Sequence, residues 1–227
     1  MAKGFTIAAS SWLSLFGLIG ALISGCVSAQ AQQFSADLVG TAHAGAAASS
    51  GKLRVFNERV RIETSGFPDG FFLIDGAGGA AYFARPAERV FMDARQSSRL
   101  TQLFVPVDLG DPCPQWQDMA KLAGVTDPSE PWRCERVGEE LVEGRGVVVY
   151  RAMSSPGRDI LGWIDPNLKF PLRIRMQDGT TITVENIHEE PQPEHLFEIP
   201  PGFRKFDPQA LIKRIKQSDV WVDNPPQ

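Results

Sequence analysis

The residues of this chain whose types and spacing could do chemistry are its histidines (His43, His188, His195), its cysteines (Cys26, Cys113, Cys134) and a few neighbouring carboxylates. His188-Glu189-Glu190 followed by His195 offers the imidazole and carboxylate donors that a zinc hydrolase uses. Such a site sets its ligands on one helical face, and Pro191 and Pro193 break any helix between them. These side chains are therefore expected on solvated loops, holding no metal. Ser154, Ser155 and Gly157 do not form the G-x-S-x-G elbow of a serine hydrolase. Gly76-Ala77-Gly78-Gly79 lacks dinucleotide spacing and a following helix, and reads as a turn. Glu139, Glu140 and Glu143 are expected to cluster in a turn beside Gly144, where a glycosidase-like pair would need an enclosing cleft. No catalytic residue, metal or cofactor is assigned, and an enzyme is not expected.

The elements that must position any site begin after an export signal. Lys3 precedes an apolar run from Ile7 to Gly25, and two processing signals follow. Ile23-Ser24-Gly25-Cys26 has the form of a lipobox, which would make Cys26 the acylated first residue of the mature protein. Ala29-Gln30-Ala31 is an A-x-A site that would instead release a soluble chain starting at Gln32. The two stand as alternatives: acyl chains on Cys26 anchor at roughly 0.8 kcal/mol per buried methylene, whereas cleavage after Ala31 removes Cys26 altogether. Left uncleaved, the run from Ile7 to Gly25 is just long enough to span a bilayer, although Ser and Gly interrupt it. The expected location is the periplasm or cell envelope, either soluble or lipid-anchored at the outer membrane. Residues 1–31 (or 1–25) form the leader, 32–206 the folded domain with an insert at 96–130, and 207–227 a C-terminal helix or tail.

Once Cys26 is removed or acylated, Cys113 and Cys134 remain, an even number in an oxidising compartment, and they are expected to pair. The alternative is two free thiols. A bridge there closes a loop that the chain-entropy model values at about 3 kcal/mol. The formal net charge is -4 and becomes one unit more negative without Lys3. That balance excludes a phosphate-tracking surface, so no nucleic-acid partner is expected. Arg54, Arg59, Arg61, Arg173 and Arg175 alternate with apolar residues and read as a solvated sheet face.

Period-two alternation dominates the chain, placing successive side chains on opposite faces of strands. Phe34 to Val39, Leu53 with Val55, and Val60 with Ile62 read as half-buried strands. Phe71 to Asp75 and Ala80 to Ala84 flank the Gly76–Gly79 turn, and Arg89 to Met92 follows. Between Gln96 and Gly124 the pattern lapses. Trp116, Met119, Ala120 and Ala123 then predict a short amphipathic helix, and Leu100, Leu103 and Phe104 another. Gly146 to Ala152, Arg158 to Ile164, Pro171 to Met176 and Thr180 to Ile187 predict an antiparallel meander closed by Asp178-Gly179, a strong hairpin signal. Leu172, Ile174 and Met176 share a face, which Ile182 and Val184 continue. Asp207 and Pro208 predict a helix start over 208–217.

Ile187-His188-Glu189-Glu190-Pro191-Gln192-Pro193, with Leu196-Phe197-Glu198-Ile199-Pro200-Pro201-Gly202-Phe203, resembles the closing motif of the DUF4412 family of small exported bacterial proteins. Trp163-Ile164-Asp165-Pro166 with Phe170-Pro171-Leu172-Arg173 resembles a hairpin shared with the wider group of lipoprotein carriers LolA and LolB and the sensor RseB. The Cys113 to Cys134 insert, the lipobox-like segment and the chain after Asp207 depart from the carriers. The resemblance covers about residues 34–206. It implies a mainly β (α+β) fold: a curved, incompletely closed antiparallel sheet, or half-barrel, wrapping a few short helices around a hollow for acyl chains. The candidate lining residues are Val60, Ile62, Leu172, Ile174, Met176, Ile182 and Val184. The implied partner is a hydrophobic ligand, either a lipid or the acyl chain of a lipoprotein. The alternative is a structural or sensory module whose hollow is filled by its own side chains and which acts through protein contacts.

Overall fold

The computed structural model describes residues 1, 32–41, 49–124, 131–154 and 159–217. The chain divides into two compact units, Met1–Gln30 and Ala31–Gln227, and the fold described below belongs to the second. The export and lipidation expectations at Lys3, Cys26 and Ala31 fall outside the described residues, as do His43 and residues 155–157.

Two antiparallel meanders make one open sheet. The first contains β1 (Gln33–Thr41), β2 (Ser49–Phe56), β3 (Arg59–Thr64), β4 (Phe71–Asp75), β5 (Ala80–Arg85) and β6 (Val90–Asp93). The second contains β7 (Arg133–Val142), β8 (Arg145–Met153), β9 (Ile160–Asp165), β10 (Phe170–Met176) and β11 (Thr181–His188). They join where β11 pairs with β1, and a short β12 (Arg204–Lys205) completes the order β12-β6-β5-β4-β3-β2-β1-β11-β10-β9-β8-β7. Strand β12 is parallel to β6, and every other pairing is antiparallel. The ends of the order, β12 and β7, do not pair with each other, so the sheet stays open among the described residues.

Turn chemistry sets the registers. Asp75 Oδ1 accepts the Gly78 amide at 2.8 Å, and Gly79 takes φ 61° in the turn predicted from its glycines. Gly179 adopts φ 84° after Asp178, whose carboxylate accepts the Thr180 amide at 2.9 Å. The turn between β7 and β8 uses Glu143 at φ 50° and Gly144 at φ 74°, a conformation in which two successive left-handed residues match the twist of a hairpin. Glu139 and Glu140 are therefore not turn residues, as the sequence suggests; they sit on β7 opposite Val148 and Val147. Charge masks the alternation there, so a strand of ten residues carries little period-two signal.

Directly paired residues share a sheet face. Phe34, Leu53, Val55, Val60, Ile62, Phe72, Ile74, Ile164, Leu172, Ile174 and Val184 belong to one buried cluster on the inner face. The insert joins that cluster through α1 (Leu100–Leu103) and α2 (Cys113–Leu122), whose Trp116, Met119 and Ala120 are buried at the predicted spacing. Asp207 caps α3 (Pro208–Gln217): its Oδ1 accepts the Gln209 and Ala210 amides at 2.9 and 3.0 Å.

Candidate ligand-binding face

Val60, Ile62, Leu172, Ile174 and Val184 each have 0% of their surface exposed, and Met176 and Ile182 are half-buried against the same cluster. The register brings most of them together: Ile174 lies opposite Ile182 and Leu38 opposite Val184. What covers this wall is the insert. The Trp116 indole, fully buried, donates from Nε1 to the Leu103 carbonyl at 3.0 Å, which ties α2 to α1 and satisfies the ring's polar atom. A Cβ added at Gly162 would stand 2.5 Å from the Trp116 ring, so β9 has a glycine where the indole lies on the sheet. The Phe104 ring lies 6.4 Å from that of Phe170, tilted by 43°, and Phe170 meets Phe34 edge-on at 5.4 Å. Farther along, Tyr150 Oη donates to the Leu109 carbonyl at 2.6 Å, and the Val107 amide to the Lys169 carbonyl at 2.9 Å. At the opposite side Leu122 reaches the position that a side chain at Gly79 would need. The insert thus spans from the turn before β5 to β8.

Cys113 and Cys134 form a disulfide with Cα atoms 5.5 Å apart, fastening the start of α2 to β7. Asp111 lies with the two sulfurs in a group of metal-ligand type, but both sulfurs are consumed by the bridge, and Asp111 Oδ1 accepts the Cys113 amide at 3.0 Å. His188 ends β11 and His195 lies in the short 3-10 helix Glu194–Phe197, both exposed. Among the described residues they join no metal-type cluster.

The outer face differs from the sequence reading. Arg54, Arg59 and Arg61 are not simply solvated, because the segment after β11 crosses over them as a strap. Arg59 pairs with Glu194 at 2.6 Å, and Arg61 donates to the Leu196 carbonyl at 3.1 Å while its guanidinium lies 3.5 Å above the centre of the Phe71 ring. Arg54 reaches Gln192 at 3.4 Å, and Phe197 is buried against Phe56. The apolar positions of the closing motif, Phe197, Ile199 and Phe203, thus anchor it to the sheet. A period-two pattern cannot disclose this, because it reports which residues alternate and not what later crosses them.

Arg145 ties the strap's start to the sheet, bonding Glu189 and, at 3.0 Å, Asp165 Oδ2. Asp165 is 1% exposed, and its Oδ1 also accepts the Asn167 and Leu168 amides. Its carboxylate partners, Glu189 first, hold the Arg145 guanidinium above its usual range. Arg145→Met leaves a buried carboxylate short of its cation and should destabilise the protein by about 1–3 kcal/mol, read as a lower urea midpoint with an unchanged slope. On β1, hydrogen bonds from Lys52 and then Asn186 hold the Asp37 carboxyl below its ordinary range. A depressed carboxylate stabilises above its unfolded pKa, and that contribution disappears as pH falls through the lower folded value. Asp37→Asn should therefore narrow the stability gap to the parent below about pH 4, which thermal melts across about pH 2–6 would measure.

The hollows among the described residues include two at the margins. One, of about 460 Å³, lies at the rim where Leu38, Gly51, Phe67 and Pro68 meet the Asp37 and Lys52 pair. The other, of about 470 Å³, lies beside β7. No helix among the described residues is long and apolar enough to cross a membrane.

No protein-family model matches the chain, and no curated protein sequence does. Solved structures of similar chain course include an uncharacterised conserved protein from Thermus thermophilus, 11% identical, covering 78% of this chain and 91% of that one at a TM-score of 0.45. A LolA superfamily protein from Nitrosomonas europaea is 12% identical over 74% of this chain and 91% of its own, at 0.36. A chain of the Pseudomonas aeruginosa MucA/MucB complex is 15% identical over 73% of this chain and 55% of its own, at 0.41. Such likenesses concern the course of the chain and not a ligand or a reaction.

Proposed function

We propose that this chain is an exported, non-enzymatic cell-envelope module that acts through protein contacts, its inner face filled by its own insert. The observation that carries this reading is the seating of Trp116 on Gly162, with the neighbouring wall sealed from solvent. An acyl chain would have to displace a buried indole that is hydrogen-bonded to α1, in an insert held by a disulfide. The leader with Lys3 and the paired cysteines support export, and the closing motif's resemblance to the DUF4412 family supports the same setting.

The second reading is a hydrophobic ligand, either a lipid or the acyl chain of a lipoprotein, taken at the inner face. The half-buried Met176 and Ile182 and the rim hollow beside the exposed Phe67 favour it. Native mass spectrometry of protein purified gently from the envelope fraction separates the two. The protein-contact reading expects a bare mass and no uptake of a fluorescent fatty acid; co-purifying lipid would replace it with the carrier reading. The same spectrum reports whether the mature chain starts at an acylated Cys26 or at Gln32.

A further inference from the structure

Strand β7 ends the sheet order with β8 as its one neighbour, so along its other side the backbone amides and carbonyls have no ladder partner among the described residues. Long open edges invite pairing, and proteins blunt them with bulges, charge or cover. Here the two halves of the strand differ. The register shifts between Arg136 and Gly138, so the first half carries a bulge, and an Arg136–Glu139 ion pair bridges the two halves. From Gly138 to Val142 the ladder is regular, with Gly138 opposite Val149, Glu140 opposite Val147 and Leu141 opposite Gly146. No proline or bulge interrupts this half.

The side chains of this half present a consistent alternation. On one face Glu140 lies opposite Val147, and one of its carboxylate oxygens accepts the Trp163 indole N–H at 2.8 Å, which fixes the carboxylate beside the edge. On the other face Leu141 is 73% exposed, since its cross-strand neighbour is Gly146 and nothing lies within 4 Å of where a Cβ there would be. A hollow of about 470 Å³ beside this edge is lined by Glu139, Leu141, Gly146 and Val148 of this face together with Glu140 and Val147 of the other and Pro166. One face offers the anchored Glu140 carboxylate; the other offers an uncovered leucine above an empty glycine, with Glu139 beside them already paired to Arg136, and together they are complementary to a guest strand that alternates cationic and apolar residues.

We infer that the Gly138–Val142 edge takes up an extended peptide as an additional strand, with a lysine or arginine facing Glu140 and an apolar side chain in the hollow beside Leu141. Main-chain bonds to the open edge supply affinity and the two faces supply selectivity. This proposal rests on the reading of the chain as a module acting through protein contacts and names the chemistry of its partner.

The test uses the full exported protein and a fluorescein-labelled octapeptide of alternating lysine and valine, followed by anisotropy. The controls are an alternating glutamate and valine peptide, the lysine peptide N-methylated at every amide, and the variants Glu140→Lys and Gly146→Val with folding checked by circular dichroism. Saturable binding is expected, weakened about tenfold or more by N-methylation, by the acidic peptide and by Glu140→Lys, each about 1.4 kcal/mol of lost interaction or more. Gly146→Val should weaken it through the apolar face alone. Binding that survives methylation of every amide, which leaves neither edge of the peptide able to donate, overturns strand addition without depending on any variant. No binding up to about 1 mM, weaker than any useful recognition, overturns the site. Co-purified lipid in the mass spectrum would instead unseat the protein-contact reading, so a lipid-free protein that ignores the peptide contradicts the edge proposal alone.

Discussion

Trp116→Ala is expected to lower the stability of the folded domain by about 3–5 kcal/mol, the range for emptying a fully buried large aromatic site. The indole is fully covered, touches the Gly162 position on β9 and, through Nε1, closes onto the Leu103 carbonyl. Alanine would remove the packing and leave that carbonyl without its donor, so the two losses act together. The cavity should also discriminate between the two functional readings. If the inner face is filled only by the insert, the variant should gain uptake of a fluorescent fatty acid that the parent lacks, because a dry apolar cavity accepts apolar guests. If the parent already carries lipid there, the variant should show no such gain. Urea unfolding followed by far-ultraviolet circular dichroism measures the stability loss. A change under about 1 kcal/mol, typical of a tolerated surface substitution, would mean that Trp116 does not hold the insert to the sheet.

Most of the sheet is legible in the sequence because its inner face is apolar and its outer face polar. Leu172 and Ile174 alternate with Arg173 and Arg175, and the structure places Ile174 opposite Ile182 and Arg173 opposite Thr183, as a two-residue period requires. The helix spacing of Trp116, Met119 and Ala120 is equally open, since all three are buried on one side of α2. Strand β7 is hidden for the opposite reason. Glu135, Arg136, Glu139 and Glu140 are charged on both faces, and a bulge after Arg136 resets the alternation. The edge of a sheet is where apolar patterning is weakest, because one side has no neighbour to bury against. The same reasoning explains why the strap over Arg59 and Arg61 leaves no trace in the pattern: its contacts join residues 135 positions apart, and nothing local to either segment announces them. Whether the inner face is hollow is also a tertiary matter, decided by where a later helix lands.

Removing the Cys113–Cys134 bridge, by Cys113→Ala with Cys134→Ala or by reduction, is expected to lower stability by about 2–4 kcal/mol. The bridge spans 21 positions, and opening it restores loop freedom to the unfolded chain whatever happens to native contacts. In this fold the bridge also joins the first turn of α2 to the edge strand, so its loss has a local consequence that loop entropy alone would not produce. Strand β7 is held laterally only by β8 among the described residues, and the disulfide is its covalent tie to the inner cluster. Without it, hydrogen exchange should quicken at β7 and across α2 while β1, β2 and β11, in the middle of the sheet, keep their protection. Uniform quickening would assign the bridge a purely entropic role, and unchanged midpoints with and without reductant would show that the insert is held by packing alone. If strand addition occurs at the Gly138–Val142 edge, the double variant should also bind the lysine peptide more weakly, because a guest strand gains less from an edge that must first be ordered.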